Sequence, residues 1–537
     1  MNQDHGSRPA TVFPWLAIGI LAGAFLLMGI RAIGSASPTT DEPAHYRSGH
    51  RILRGVAERW GVSEMPLSAV NALPCYISER GGSGLRDASE FSGPCDWALA
   101  RLPTLLGGLA LGLVVASWSR ALFGWSGAIV SFGLLAFDPN VLAHSTLVTT
   151  DLFGALFLLV SLRAFARWLE LPGPRQSIVL GLAVGSALLA KYTAAYLPII
   201  FLVASGLSRI LVKGPRADRR WIAGAAVCCL VALALVNVGF LGDGTFTSLR
   251  DQEFESPQFR ELRKTPVLAA LPLPVPRPFV QGLDRAFARE RSGGAAGNVY
   301  FMGELRSPGN PGFMTYFLVL GLLKTPIPTI VGVLLTAGLL LKHGRDRWRV
   351  DEITLVSGVV IFSLYFSLFF RTQIGFRHFL VVVPLLYVLA GRLGPFLSRS
   401  RLRATIGVLA LGLSAASVIR HGDDPLSYFN ELVDPTLTYR IAADSNLDWG
   451  QSRARVDAYL ASHPGVLQAP GKPFPGRIIV GANVLTGVVT RKRMEWLRAT
   501  GLRPVGHVAF THFLFDLTEA EAARLRRERG EPPLSPE

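Results

Sequence analysis

Two acidic residues stand side by side, Asp41 and Glu42, immediately after the first long apolar run of this 537-residue chain. A third carboxylate, Asp151, lies just inside another apolar run, where an ionised side chain is costly unless it meets a partner or a water-filled cavity. Basic residues fall at corresponding places. Arg101 opens the second run, Lys191 separates two short ones, Lys324 precedes the eighth, and Arg371, Arg377 and His378 fill one short gap. A carboxylate held within hydrogen-bond reach of a hydroxyl can take its proton. Fixed guanidinium and ammonium groups stabilise an anion that develops as a bond breaks, a departing phosphate above all. Acids and bases gathered at one depth thus describe a reaction centre for an anionic substrate.

Blander roles compete at each position. Arg371 and Arg377 could anchor helix ends at an interface, and Lys191 could snorkel. Asp151 could pair structurally with Arg101 or Lys191. Glu304, in Tyr300-Phe301-Met302-Gly303-Glu304, fits a loop carboxylate, although its aromatic company suits a sugar. His45 and His144 read as polar interface residues, and Asp138-Pro139-Asn140 as a turn closing the third apolar helix.

The elements that must position these groups are apolar helices. Half of the residues are hydrophobic and only 17% are charged, against about 25% in an ordinary soluble domain. A spanning helix needs about 20 largely apolar residues, and eleven candidate runs answer to that, two of them short: Val12–Ile33, Leu102–Trp118, Ala121–Phe137, Thr146–Leu162, Ser177–Ala190, Tyr192–Leu207, Trp221–Leu241, Thr325–Leu341, Ile353–Phe370, Phe379–Phe396 and Ala404–Ile419. The first is long for a signal peptide and lacks a convincing small-x-small site, so it is expected to be an uncleaved anchor. The net charge of +16 does not describe a nucleic-acid binder, because the basic residues cluster in short gaps between apolar runs and no nucleic-acid motif accompanies them. Alternate gaps hold Arg163, Arg167 and Arg175; Arg209, Lys213, Arg216, Arg219 and Arg220; Lys342, Arg345, Arg347 and Arg349; and Arg392, Arg399, Arg401 and Arg403. The positive-inside trend makes these cytoplasmic, which puts the amino terminus inside and the carboxyl terminus outside.

Residues 1–419 then form a transmembrane domain with large external loops at 34–101 and 242–311, and residues 420–537 a small external α/β domain. In the latter, strands are expected at Tyr439–Ala443, Arg477–Val484 and Val505–Leu517, helices at Gln451–Ser462 and Glu519–Arg529, and a frayed tail at Pro532–Glu537. Cys228 and Cys229 lie within a span and read as packing residues, whereas Cys75 and Cys95 share an external loop in an oxidising compartment and are expected to form a disulfide.

Asp41-Glu42-Pro43-Ala44-His45-Tyr46 resembles the acidic pair in the first external loop of C-type glycosyltransferases. Within that fold the chain is similar to the bacterial relatives of protein O-mannosyltransferases and aminoarabinose transferases. Further matches are Arg101-Leu102-Pro103, the stretch from Asp138-Pro139-Asn140 through Thr149-Thr150-Asp151-Leu152, Ala190-Lys191-Tyr192, Lys324-Thr325-Pro326, Arg377-His378, Tyr428-Phe429-Asn430-Glu431 and Asp444-Ser445-Asn446-Leu447-Asp448-Trp449-Gly450-Gln451. Their order over residues 12 to 455 carries the resemblance.

The resemblance implies a polytopic C-type glycosyltransferase fold and a polyprenyl-phosphate-linked sugar as donor. It implies chemistry on the extracytoplasmic face of the bacterial inner membrane, with a glycan, lipid or protein acceptor. It implies Asp41 as catalytic base, Glu42 supporting it through acceptor or metal, Asp151 as a further acidic site residue, and Arg101 as the residue that holds the acidic loop. Lys191, Arg371, Arg377 and His378 are then expected to bind donor phosphate, with Lys324 and Glu304 in support. No cofactor is demanded, and a divalent metal stays open. The region after Arg420 lacks the sugar-binding repeats of eukaryotic mannosyltransferases, which counts against a protein acceptor. A flippase of lipid-linked sugar would place its charges near the midplane of repeated halves, and a polysaccharide polymerase or ligase would lean on Arg and His rather than on Asp41.

Overall fold

A computed structural model describes residues 12–57, 64–81, 94–212, 219–292, 298–342, 344 and 347–532. Lys213, Arg216 and Arg345 of the basic gaps, and 533–537 of the expected tail, lie outside the described residues.

The chain is a bundle of apolar helices with a small sheet near its carboxyl end. Helix α1 (Val12–Ser35) leads into α2 (Glu42–Leu53) and α3 (Ala69–Gly81). Helices α4 (Trp97–Ala136), α5 (Pro139–Ser145), α6 (Asp151–Glu170), α7 (Pro174–Ala190), α8 (Leu197–Leu211) and α9 (Arg219–Gly239) follow. After three surface helices, α10 (Pro257–Lys264), α11 (Pro266–Ala270) and α12 (Arg277–Ser292), the hairpin β1 (Val299–Phe301) and β2 (Glu304–Arg306) leads to α13 (Tyr316–Leu323). The bundle resumes with α14 (Ile327–Leu341), α15 (Val350–Leu368), α16 (Val383–Ala390), α17 (Leu393–Leu397) and α18 (Arg401–His421). Seven of the described helices are long and apolar enough to cross a membrane, and Pro174–Ala190, Ile327–Leu341 and Val383–Leu397 are shorter apolar ones. Each expected run coincides with one of these elements, although α6 begins and ends several residues later than Thr146–Leu162. Outer faces carry exposed apolar side chains, such as Ile222, Leu230 and Val238 on α9 and Leu402, Leu409 and Leu413 on α18, as surfaces facing lipid do.

Helix α4 covers two of the expected runs. At about 1.5 Å per residue its 40 residues would reach about 60 Å, twice the hydrocarbon thickness of about 30 Å. It does not run straight. Gly124 has φ 74° and ψ −170°, a conformation essentially restricted to glycine, and the chain folds back there. Ser131 Oγ donates to Ser119 Oγ at 2.8 Å, and Gly112 lies against Phe132 and Leu135. The two limbs are therefore antiparallel neighbours.

After α18 the chain crosses back over the bundle before forming α19 (Arg453–Ser462) and a four-stranded sheet. The strands are β3 (Leu467–Gln468), β4 (Gly476–Gly481), β5 (Gly506–Val508) and β6 (His512–Leu517), in the order β3-β4-β6-β5. β3 and β4 are parallel; β4–β6 and β5–β6 are antiparallel. Helices α20 (Ala482–Thr486), α21 (Glu495–Thr500) and α22 (Glu519–Glu528) complete the region, the last opened by a capping box of Thr518 and Glu521. Ile478, Val480, Phe513 and Phe515 fill its core with Trp496 from α21.

The expected strand at Tyr439–Ala443 is not formed. Asp434 caps Thr436 ahead of Pro435, which starts a 3-10 turn over Pro435–Arg440, and only Ala442 bridges to Phe301. The single strand expected at Val505–Leu517 is instead the hairpin β5–β6, broken at Ala509 and Phe510, both at positive φ. The expected strand through Val484 stops at Gly481, where α20 begins.

Candidate active site

The loop after α1 carries the acidic pair, and its two members have opposite surroundings. Glu42 is fully buried. Arg101, on the first turns of α4, meets it through two parallel bonds, Nε to Oε1 and Nη2 to Oε2, both 2.8 Å. The backbone N–H groups of Thr39 and Val148 donate to the same carboxylate at 2.8 and 2.9 Å. The remaining Arg101 donors go to the carbonyls of Ile33, Ala36 and Ser37. Glu42 and Arg101 thus tie together the exit of α1, the start of α4 and the segment before α6.

Asp41 points the other way, with its side chain 30% exposed. Its Oδ2 accepts from Arg377 Nη1 at 2.8 Å, and the same nitrogen lies 3.9 Å from Oδ2 of Asp151. Asp151 is the first residue of α6, and its Oδ1 is bonded by Lys191, which follows α7. Of the two partners open for Asp151, Lys191 is the one it meets. Asp41, Arg377, Asp151 and Lys191 therefore form one chain of alternating charge where the ends of α1, α6, α7 and α15 converge. The Arg377 guanidinium lies over the Trp449 ring, 4.1 Å from its centroid. Around the cluster stand His45, His144 and His378, with burial lowering the pKa of His45 against the opposing charge of Asp41. Three buried nitrogens here have no partner among the described residues: Arg377 Nε, His378 Nε2 and His144 Nδ1. Among those residues no group of three or more His, Cys, Asp or Glu is placed to hold a metal ion.

Other expected site residues stand elsewhere. Arg371 is exposed and lines a separate cavity of about 550 Å³ with Tyr196, Ile199, Leu364, Tyr365 and Phe369. Glu304 is exposed on the β1–β2 hairpin and paired with Arg306, outside the cluster. Lys324, between α13 and α14, is buried, and its Nζ donates to the carbonyls of Leu426, Tyr428 and Asn446. It staples the segment after α18 to the bundle. The Asp138 N–H closes a turn at the end of α4 onto the Leu135 carbonyl at 3.1 Å, as expected, and its carboxylate also caps α5 through the Val141 N–H. Cys75 and Cys95 are joined by a disulfide that ties α3 to the approach to α4.

Asp444, which has no individual role in the sequence reading, is delivered to the cluster by the stapled segment. Its neighbours in charge are Arg377, Asp41 and Asp448. Burial pushes its carboxyl up to about 6, partly offset by the Ser445 N–H and Arg377. Its φ of +58° is left-handed, a conformation that aspartate adopts more readily than most residues but that nothing in the surrounding sequence marks at this position.

Residues 91–238 match the family model described as dolichyl-phosphate-mannose-protein mannosyltransferase. Over this stretch the chain is similar to those mannosyltransferases. The match takes in Arg101, Asp151 and Lys191. Among solved structures, ArnT from Cupriavidus metallidurans bound to undecaprenyl phosphate aligns at 17% identity and TM-score 0.49, over 77% of this chain and 65% of that one. The chain thus spans just under two thirds of that structure's length. An oligosaccharyltransferase from Archaeoglobus fulgidus tethered with an acceptor peptide aligns at 14% identity and TM-score 0.45, over 76% of this chain and 55% of that one. The Pmt1-Pmt2 complex of S. cerevisiae bound to the sugar donor aligns at 17% identity and TM-score 0.34, over 44% of this chain and 34% of that one. No curated protein matches the chain.

Proposed function

We propose that the protein is an integral-membrane glycosyltransferase that moves a sugar from a polyprenyl-phosphate carrier to an acceptor, with Asp41 as general base. The observation that carries this reading is the alternating cluster Asp41–Arg377–Asp151–Lys191 at converging helix ends. Asp41, partly exposed, takes the proton of the attacking hydroxyl. The oxygen bonds to the anomeric carbon, the carbon–oxygen bond to phosphate breaks, and its electron pair leaves on the carrier phosphate. Arg377 and Lys191 offset that new charge, and the unpaired Nε of Arg377 has a donor to spare. Direct displacement inverts the anomeric centre. Asp151 keeps Lys191 and Arg377 in place, and Glu42 acts by locking the loop that carries Asp41. The largely apolar cavity that Arg371 lines suits the carrier's hydrocarbon chain.

The orientation belongs to the same proposal. The Asp41 end of the bundle faces the extracytoplasmic side of the inner membrane, and the amino terminus the cytoplasm. The alternating basic gaps support this, and so does the Cys75–Cys95 disulfide, because thiols stay reduced in most cytosols. The test is to incubate the purified chain in lipid with a panel of labelled polyprenyl-phosphate sugars. Discharge of label from one carrier is expected. A folded protein that discharges none of them refutes the reading.

A further inference from the structure

We propose that the acceptor presents neutral saccharide hydroxyls, not a phosphate, and that Asp444 binds one of them through its free carboxylate oxygen. The inference rests on the sugar-transfer reading and adds the class of acceptor.

Charge at the site argues first. Lys191 is matched by Asp151 and Arg377 by Asp41, and a donor phosphate draws on the same two cations. Asp444, beside the sheet region, has the carboxylates of both Asp41 and Asp448 near it. A second anion arriving there as nucleophile meets carboxylates. A hydroxyl meets hydrogen-bond acceptors.

The geometry of Asp444 argues next. Its backbone N–H donates to Asn483 Oδ1 at 2.6 Å, which helps hold the left-handed φ. Its Oδ1 accepts from the Ser445 N–H at 2.6 Å, whereas its Oδ2 accepts from no described residue, and the side chain is only partly covered. Two residues on, Asn446 donates to the Tyr316 hydroxyl and accepts from the Phe376 N–H at 2.8 Å, next to Arg377. Lys324 fixes the Asn446 carbonyl at 2.7 Å. The free oxygen is thus held at a set position relative to Arg377, and through it to Asp41. A carboxylate oxygen so held takes a proton donor, which a sugar hydroxyl supplies and an ionised phosphate does not. The unpaired buried nitrogens of Arg377, His144 and His378 are a separate sign that a polar ligand completes this site.

In the reaction, the attacking hydroxyl of the saccharide gives its proton to Asp41 and its oxygen to the anomeric carbon, while the carrier phosphate departs. Asp444 holds a neighbouring hydroxyl and changes neither its own bonds nor its charge.

The test uses the full chain in lipid, charged with whichever labelled polyprenyl-phosphate sugar it discharges, and offers decyl glucoside, decanol and decyl phosphate. Decyl glucoside should be the preferred acceptor, giving a glycoside stable to mild acid. For Asp444→Asn, the KM for decyl glucoside should rise about tenfold or more, with kcat at saturating glucoside falling by less, as loss of one charge-assisted hydrogen bond dictates. Asp444→Glu should recover part of the affinity. An acid-labile product from decyl phosphate, discharge without transfer to decyl glucoside, or an unchanged KM in Asp444→Asn each overturns the inference while leaving sugar transfer standing. A wild-type chain that discharges no carrier overturns both.

Discussion

If Glu42 locks the loop and does not touch substrate, removing its partner should cost stability before it costs chemistry. Arg101 and Glu42 are 1% and 0% exposed, so neither charge can turn to water when the other is deleted. Breaking a buried pair in this way costs about 3–5 kcal/mol, a large share of the roughly 5–15 kcal/mol that holds a typical domain folded. Arg101→Ala also strands the carbonyls of Ile33, Ala36 and Ser37, which places it at the upper end of that range. The double variant Arg101→Ala/Glu42→Ala leaves no uncompensated charge and should be destabilised by less than the sum of the two single variants. The expected coupling is about 3 kcal/mol. The assay is thermal unfolding in detergent for wild type, both single variants and the double, with sugar release measured well below each midpoint. Additive single effects would refute the reasoning. So would a Glu42→Gln protein that melts like wild type and has lost turnover, because Glu42 would then be acting on substrate.

Asp41→Asn should lower sugar transfer by about 10²–10⁴-fold with little change in melting temperature; transfer at the wild-type rate excludes Asp41 as the base. Lys324→Met removes the donor to three carbonyls, and limited proteolysis should then open the segment 424–451 first, while a wild-type cleavage pattern counts against the staple. Replacing Cys75 and Cys95 with serine frees a loop whose ends lie 20 residues apart and should cost about 3 kcal/mol, read as a lower melting temperature under non-reducing conditions only. The pKa of Asp444, about 6 in the folded chain, lies above its unfolded value, so the folded state holds the proton longer. Its contribution to stability should fall as pH rises from the ordinary carboxylate range to about 6 and then level off, and Asp444→Asn should remove that slope from melting curves.

The helices were legible because a bilayer leaves few options: a run of about 20 apolar residues must be helical to satisfy its own backbone. The turn inside α4 was legible for the same reason, since no single span accommodates Leu102 to Phe137. Helix α13 was not, because eight apolar residues are too few to count as a span. Helices α10 and α12 were hidden in an assumed loop, although Ser256 before Pro257 is a cap-and-proline start. At the site, the sequence placed Asp41, Asp151, Lys191 and Arg377 at one level because charge beside apolar runs is conspicuous. Residue type alone did not separate Asp41 from Glu42, which the family resemblance did, since direction across a helix start decides which one is sealed and which one is open. It also grouped Arg371 with Arg377, though the five residues between them carry Arg371 to a cavity of its own and Arg377 to the acidic cluster.

The backbone around the acidic pair is held from the far end of the polypeptide. Ser37 donates its N–H to the carbonyl of Gln451, and Thr40 donates its own to Trp449. A ribosome must therefore deliver nearly the whole protein before the first-made loop can settle. Nascent or prematurely terminated chains should insert their helices yet, if the proposed function holds, remain inert towards lipid-linked sugar.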